Sequence, residues 1–115
     1  MLAATPNIAS LSEQRIAPRR QPAMGTICHL TVGDGAPSAL ALIWNISNTG
    51  ISMLLNEPRK PGTMLSGLLE TTIGGYTMPI AVRVVHVKQL NTGDYYVGTT
   101  FQHPITDEEM KPFVA

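Results

Sequence analysis

Apolar and polar residues alternate along most of this chain with a period of two, the repeat of an extended strand whose side chains point to opposite faces in turn. Met24, Thr26, Cys28, Leu30 and Val32 share one face, and His29 and Thr31 share the other, so a first strand is expected over 24–32. Residues 33–37 are rich in glycine and end in Pro37, which marks a turn. A second strand follows, with Leu40, Leu42, Trp44 and Ile46 on one face; this makes Trp44 a core residue and sets Asn45 and Ser47 on the opposite face. A third strand is expected at 51–55, a loop at 56–62 and a fourth strand at 63–72, ending at the hairpin signal of Gly74 and Gly75. The fifth strand, 76–90, is long and changes phase. Ile80, Val82 and Val84 fit one face while Val85 and Val87 fit the other, as a β-bulge or a strand buried on both sides would give. Pro79 cannot donate to a ladder and places the beginning of that strand at a sheet edge. A turn at 91–94 leads into a sixth strand at 95–101.

The flanks differ from this pattern. Thr106 followed by Glu109 is a capping box, so a short helix is expected over about 106–115, its first turn acidic and its length limited by Pro112. Residues 1–14, broken by Pro6 and small polar residues, read as a flexible arm with room for a short helix over 7–14. Six strands with glycine-rich turns and one terminal helix imply an all-β domain, a barrel or a sandwich. Closing the sheet removes the edges that a chain this rich in Leu, Ile and Val would otherwise expose.

Length and charge narrow the function. At 115 residues the chain suits one domain with a single core, and a formal net charge of zero argues against a nucleic-acid polymer as partner. No apolar run approaches the ~18 residues of a spanning helix, and the N-terminus lacks the pattern of a secretory signal. A cytoplasmic protein without membrane insertion is therefore expected. The lone cysteine, Cys28, forms no internal disulfide and is expected in the core. Cys28 and His29 point to opposite faces of their strand, the three histidines lack metal-ligand spacing, and no carboxylate pair suits acid–base catalysis. Neither an enzyme, a metal site nor a bound cofactor is expected.

Two stretches remain. Arg15, Arg19 and Arg20, three of the eight cationic residues, fall within six positions beside Pro18 and Pro22. Such a segment is extended, and taken alone it suits a solvated linker as well as a binding element. Fully stretched, Arg15 and Arg19 would stand about 13 Å apart at their Cα atoms, a span that a bend could close around a ligand. The second stretch joins strands two and three. Asn45 and Ser47, two residues apart, offer donors and acceptors to one ligand edge, and Gly50 permits a tight turn or a close backbone approach. An ordinary hairpin turn has the same composition.

Together the two stretches read RxxxR, from Arg15 to Arg19, and (D/N)xSxxG, from Asn45 to Gly50. Their order, their spacing and the strands after them, through Val84-Val85-His86-Val87 and Tyr96-Val97-Gly98-Thr99-Thr100-Phe101, resemble the PilZ domain family from about Arg15 to His103. The resemblance implies a six-stranded antiparallel split barrel, over about 24–103 within a domain at 15–115 with its junction at 15–19, and a receptor for the bacterial second messenger cyclic di-GMP. Arg15 and Arg19 would clasp the ligand with Arg20 nearby, and Asn45, Ser47 and Gly50 would line the place of one guanine; Trp44, read as core from the alternation, could as an aromatic near a purine site stack there instead. Many family members carry aspartate at the position of Asn45, so here a neutral acceptor would face the guanine N–H groups. Some members with an arginine just before RxxxR take two stacked ligands; Gln14 stands there in this chain, which points to one. The guanidinium fork matches both phosphate and the O6/N7 edge of guanine. On this reading, ligand binding changes the conformation of the arm and signals to an unidentified protein partner. The alternative is a PilZ-like protein-interaction domain that does not bind the nucleotide.

Overall fold

Six strands form where the alternation places them. A computed structural model describes residues 18–32 and 36–115 of the chain. The arm, the helix expected over 7–14, Gln14 and Arg15 lie outside the described residues. Strands β1 (Thr26–Val32), β2 (Ala36–Ile46), β3 (Ile51–Leu55), β4 (Met64–Thr71), β5 (Tyr76–Gln89) and β6 (Tyr95–Phe101) are followed by helix α1 (Asp107–Met110) and a 3-10 turn, Lys111–Phe113. The sheet is antiparallel throughout and runs β1-β2-β3-β6-β5-β4, with β4 returning to β1 to close the barrel.

Along β1, Thr26, Cys28 and Leu30 point inward as the alternation requires, whereas Met24 stands in the preceding turn and is exposed. β3 and β6 send Ile51, Met53, Leu55, Val97 and Phe101 into the same interior. Each such fully buried side chain contributes about 1.5–3 kcal/mol. α1 starts at the expected capping box: Glu109 N–H donates to Thr106 Oγ1 at 3.0 Å, and Thr106 N–H donates to Glu109 Oε1 at 2.8 Å. Met110 and Phe113 then join the core. The N-terminal half of β5 pairs with β4 alone, since β6 joins it only from Val82 onward. Pro79 therefore lies at an open edge, where its missing N–H costs no ladder bond.

The second strand corrects the sequence reading. Leu40, Leu42 and Trp44 are 56%, 55% and 53% exposed, while Ala41 and Ile46 are fully buried and Ile43 packs against the core. Residues 39–43 are apolar without interruption, so alternation could not choose between the faces. The ladders choose instead, pairing Ala41 with Cys28 and Ile43 with Met53. A small barrel is just wide enough inside for its side chains, and the small Ala41 and Cys28 sit side by side there.

Candidate functional site

Two β-bulges shape one outer face of the barrel. In β2 the register steps from Ile43 opposite Met53 to Asn45 opposite Ser52, so Trp44 is the extra residue. A bulge reverses the inside–outside phase, and two consecutive side chains then point the same way. Trp44 and Asn45 both face outward, not oppositely as strict alternation required, and Ile46 returns to the core. In β5 the register steps from Val84 opposite Thr99 to His86 opposite Gly98, with Val85 as the extra residue. Val85 and His86 point outward and Val87 packs inward, so the change of phase in the sequence is a bulge and Val85 and Val87 do not share a face.

Between the bulges runs a row of paired positions, Asn45 to Ser52 to Gly98 to His86, crossing β2, β3, β6 and β5. Ser52 is fully buried beneath this face and donates to Asn45 Oδ1 at 2.7 Å. Gly98 leaves the middle of the row without a side chain. A Cβ placed there would meet only His86 and Tyr96 atoms at 3.6 Å or more, so packing does not demand a glycine.

The loop after β2 is held by its own residues. Ser47 Oγ accepts from Thr49 N–H and Gly50 N–H, both at 3.2 Å, and Ser47 N–H donates to Gly50 O at 2.9 Å. Ser47 is 7% exposed, so its hydroxyl organises the turn and does not share an open face with Asn45. Gly50 is needed for space, not for a left-handed conformation. A Cβ there would lie 2.1 Å from the Thr99 carbonyl oxygen of β6. The loop thus presses on β6 and positions Asn45 at its base. Asn48 ties the same loop to the C-terminal segment, donating through Nδ2 to Ile105 O at 2.8 Å and Asp107 Oδ1 at 3.0 Å.

The arginine segment is docked beside this loop. Arg20 and Ile46 exchange backbone hydrogen bonds of 2.7 and 3.0 Å, and Ala23 N–H donates to Phe113 O at 2.9 Å. Arg19 reaches the outer face, where its Nη1 donates to Asn45 Oδ1 at 3.0 Å. Arg20 instead borders a separate depression of about 290 Å³ with Asp107, Glu108 and Lys111. RxxxR and (D/N)xSxxG therefore meet through Arg19 and Asn45, while Arg15 lies outside the described residues.

Arg19, His86, Tyr96, Gly98 and the bulged Val85 line a depression of about 250 Å³. That is below the roughly 300–1,000 Å³ of sites that enclose a whole small molecule. The face suits a ligand lying across it with one ring seated in the hollow. Its electrostatics favour an anion, because Arg19 has no carboxylate partner among the described residues. Asn45 Oδ1 is taken by Arg19 and Ser52, which leaves its amide nitrogen to donate. The expected acceptor is thus a donor, matched to a carbonyl oxygen or a ring nitrogen. A larger groove of about 450 Å³, lined by Met78, Ile80, Phe101 and Ile105 among others, lies at the open edge of β5.

Sequence reasoning missed Ser52, His86, Tyr96, Gly98 and the outward Trp44. Two signals were present: a glycine inside the last strand, and a serine inside the apolar run 51–55.

The family model for the PilZ domain matches residues 13–115. No curated protein sequence matches the chain significantly. Among solved structures, the PilZ domain of YcgR from Escherichia coli with c-di-GMP is similar at a TM-score of 0.59 and 13% identity, covering 78% of this chain and 79% of that one. The K. pneumonia MrkH–c-di-GMP complex is similar at 0.64 and 19% identity, covering 88% and 50%. The Bacillus subtilis inhibitor of motility MotI/DgrA is similar at 0.60 and 14% identity, covering 89% and 48%. The chain spans about half the length of MrkH and MotI. At these identities the likeness carries the fold, and the sequence match over the whole barrel carries the family: the chain belongs to the PilZ domain family.

Proposed function

We propose that this domain is a receptor for cyclic di-GMP. The observation that carries the reading is the hydrogen bond between Arg19 and Asn45, 26 residues apart, which joins the two motifs on one outer face above a hollow floored by Gly98. The Arg19 guanidinium forks to a phosphate or to the O6/N7 edge of guanine, and the Asn45 amide donates to the same edge. Arg15 closes the clasp from the arm. Binding changes the conformation of the chain before Arg20, and the surface made jointly of arm, ligand and barrel is read by a protein partner. YcgR and MrkH, whose complexes contain c-di-GMP, share the fold and support the reading.

Calorimetry with cyclic di-GMP, cyclic di-AMP and GTP tests it. Cyclic di-GMP should bind well ahead of the other two. Arg19→Ala should weaken it by about 1.5–3 kcal/mol, the range of a charge-assisted hydrogen bond, or roughly 10- to 150-fold. Equal affinity for all three ligands rules out guanine recognition. No heat with any of them leaves a protein-docking domain in place of a receptor.

A further inference from the structure

We infer that Trp44 is a stacking platform for one purine ring of the ligand. This rests on the reading of the face as a cyclic di-GMP site and adds a residue outside both motifs. Trp44 is the extra residue of the β2 bulge: it continues the outward row of Leu40 and Leu42, and the irregularity that turns Asn45 towards Arg19 sets the amide on the same side beside the indole. The indole is 53% exposed although it is the largest apolar side chain type in the sequence. Single exposed apolar residues are common and need no explanation; an exposed ring set edge-to-face against a residue that lines the Arg19 hollow is a different case.

Tyr96, which lines the hollow, holds it there: the two ring centroids are 6.2 Å apart with planes at 86°. His86 meets the other side of this cluster, 6.2 Å from Tyr96 at 65°. A perpendicular contact braces a ring without covering it, and among the described residues Trp44 has no parallel-stacked partner. A dinucleotide with two purines presents two flat faces. One base can seat its edge against Arg19 and Asn45, while the other, lying across the surface, covers the indole. Stacking does not distinguish bases, because each has a π-face. Trp44 therefore supplies affinity, and the edge contacts supply the choice of guanine.

Trp44 is the sole tryptophan of the chain, so intrinsic fluorescence reports on it directly. Cyclic di-GMP should quench it in step with the calorimetric isotherm. Trp44→Leu, which keeps an apolar side chain but no ring, should bind about 5- to 150-fold more weakly, the range for loss of one stacked base. Trp44→Phe should recover most of that loss, and neither variant should shift the melting temperature appreciably. If Trp44→Leu binds as the wild type does while Arg19→Ala is impaired, the indole has no part in binding and this inference alone fails. If the wild-type chain binds no cyclic di-GMP, both this inference and the receptor reading fail.

Discussion

Replacing Gly50 with alanine separates the structural part of the (D/N)xSxxG motif from its binding part. The new Cβ would stand 2.1 Å from the Thr99 carbonyl oxygen and 3.3 Å from Thr100 Cα, both backbone atoms of β6 that cannot rotate aside. An ordinary carbon–oxygen contact needs about 3.3 Å, so the loop must retreat by about 1 Å. That retreat breaks the bond from Phe101 N–H to Thr49 O, now 2.8 Å, and loosens the one from Ser47 N–H to Gly50 O. Two net hydrogen bonds are worth about 1–3 kcal/mol, and the residual overpacking adds about 1–3 kcal/mol. The smaller entropy of the unfolded alanine chain returns about 0.4–1 kcal/mol. The expected destabilisation spans about 1–5 kcal/mol and centres near 3, which is a fall in Tm of roughly 12–24 °C for a domain near 100 residues. Thermal unfolding followed by circular dichroism reads this directly. Gly98→Ala is the control: its Cβ would meet nothing closer than 3.6 Å, so stability should stay within about 0.5 kcal/mol, while cyclic di-GMP binding weakens because the floor of the hollow is filled. A Gly50→Ala protein that melts within about 4 °C of wild type, under 1 kcal/mol, would refute the close-approach argument.

Two further outcomes are expected. On adding cyclic di-GMP, hydrogen exchange should slow at residues 15–19 and 45–51. Residues 20–23, already tied to the barrel through the bonds of Arg20 to Ile46 and of Ala23 to Phe113, should change little; unaltered exchange at 15–19 would rule out the arm as the signalling element. Burial pushes the Cys28 thiol from 9.0 up to about 12, so its neutral form is favoured in the fold. Its contribution is fully present below pH 9 and is lost as pH rises from 9 towards 12, where the unfolded chain ionises first. Denaturant midpoints at pH 7.5 and 10.5 should fall more steeply for wild type than for Cys28→Ala, and equal slopes would contradict the burial argument.

The sequence alone determined the all-β class, the six strands to within about two residues at most of their ends, the capping box of α1 and the edge position of Pro79. These follow from local rules: period-two alternation, turn chemistry and side-chain capping act between residues close together in the chain. The two motifs were legible for the same reason, as short runs of particular residue types. What the motif residues do was decided by the tertiary structure. Ser47 spends its hydroxyl on its own turn, Gly50 makes room for a strand more than 40 residues later, and Arg20 faces away from the hollow that Arg19 borders. Trp44 was misplaced because β2 is apolar on both faces, so its inward side is set by the ladders with β1 and β3. The bulge that brings Asn45 to the outer side beside Trp44 is a mismatch between two strands, and one strand's residues do not carry it.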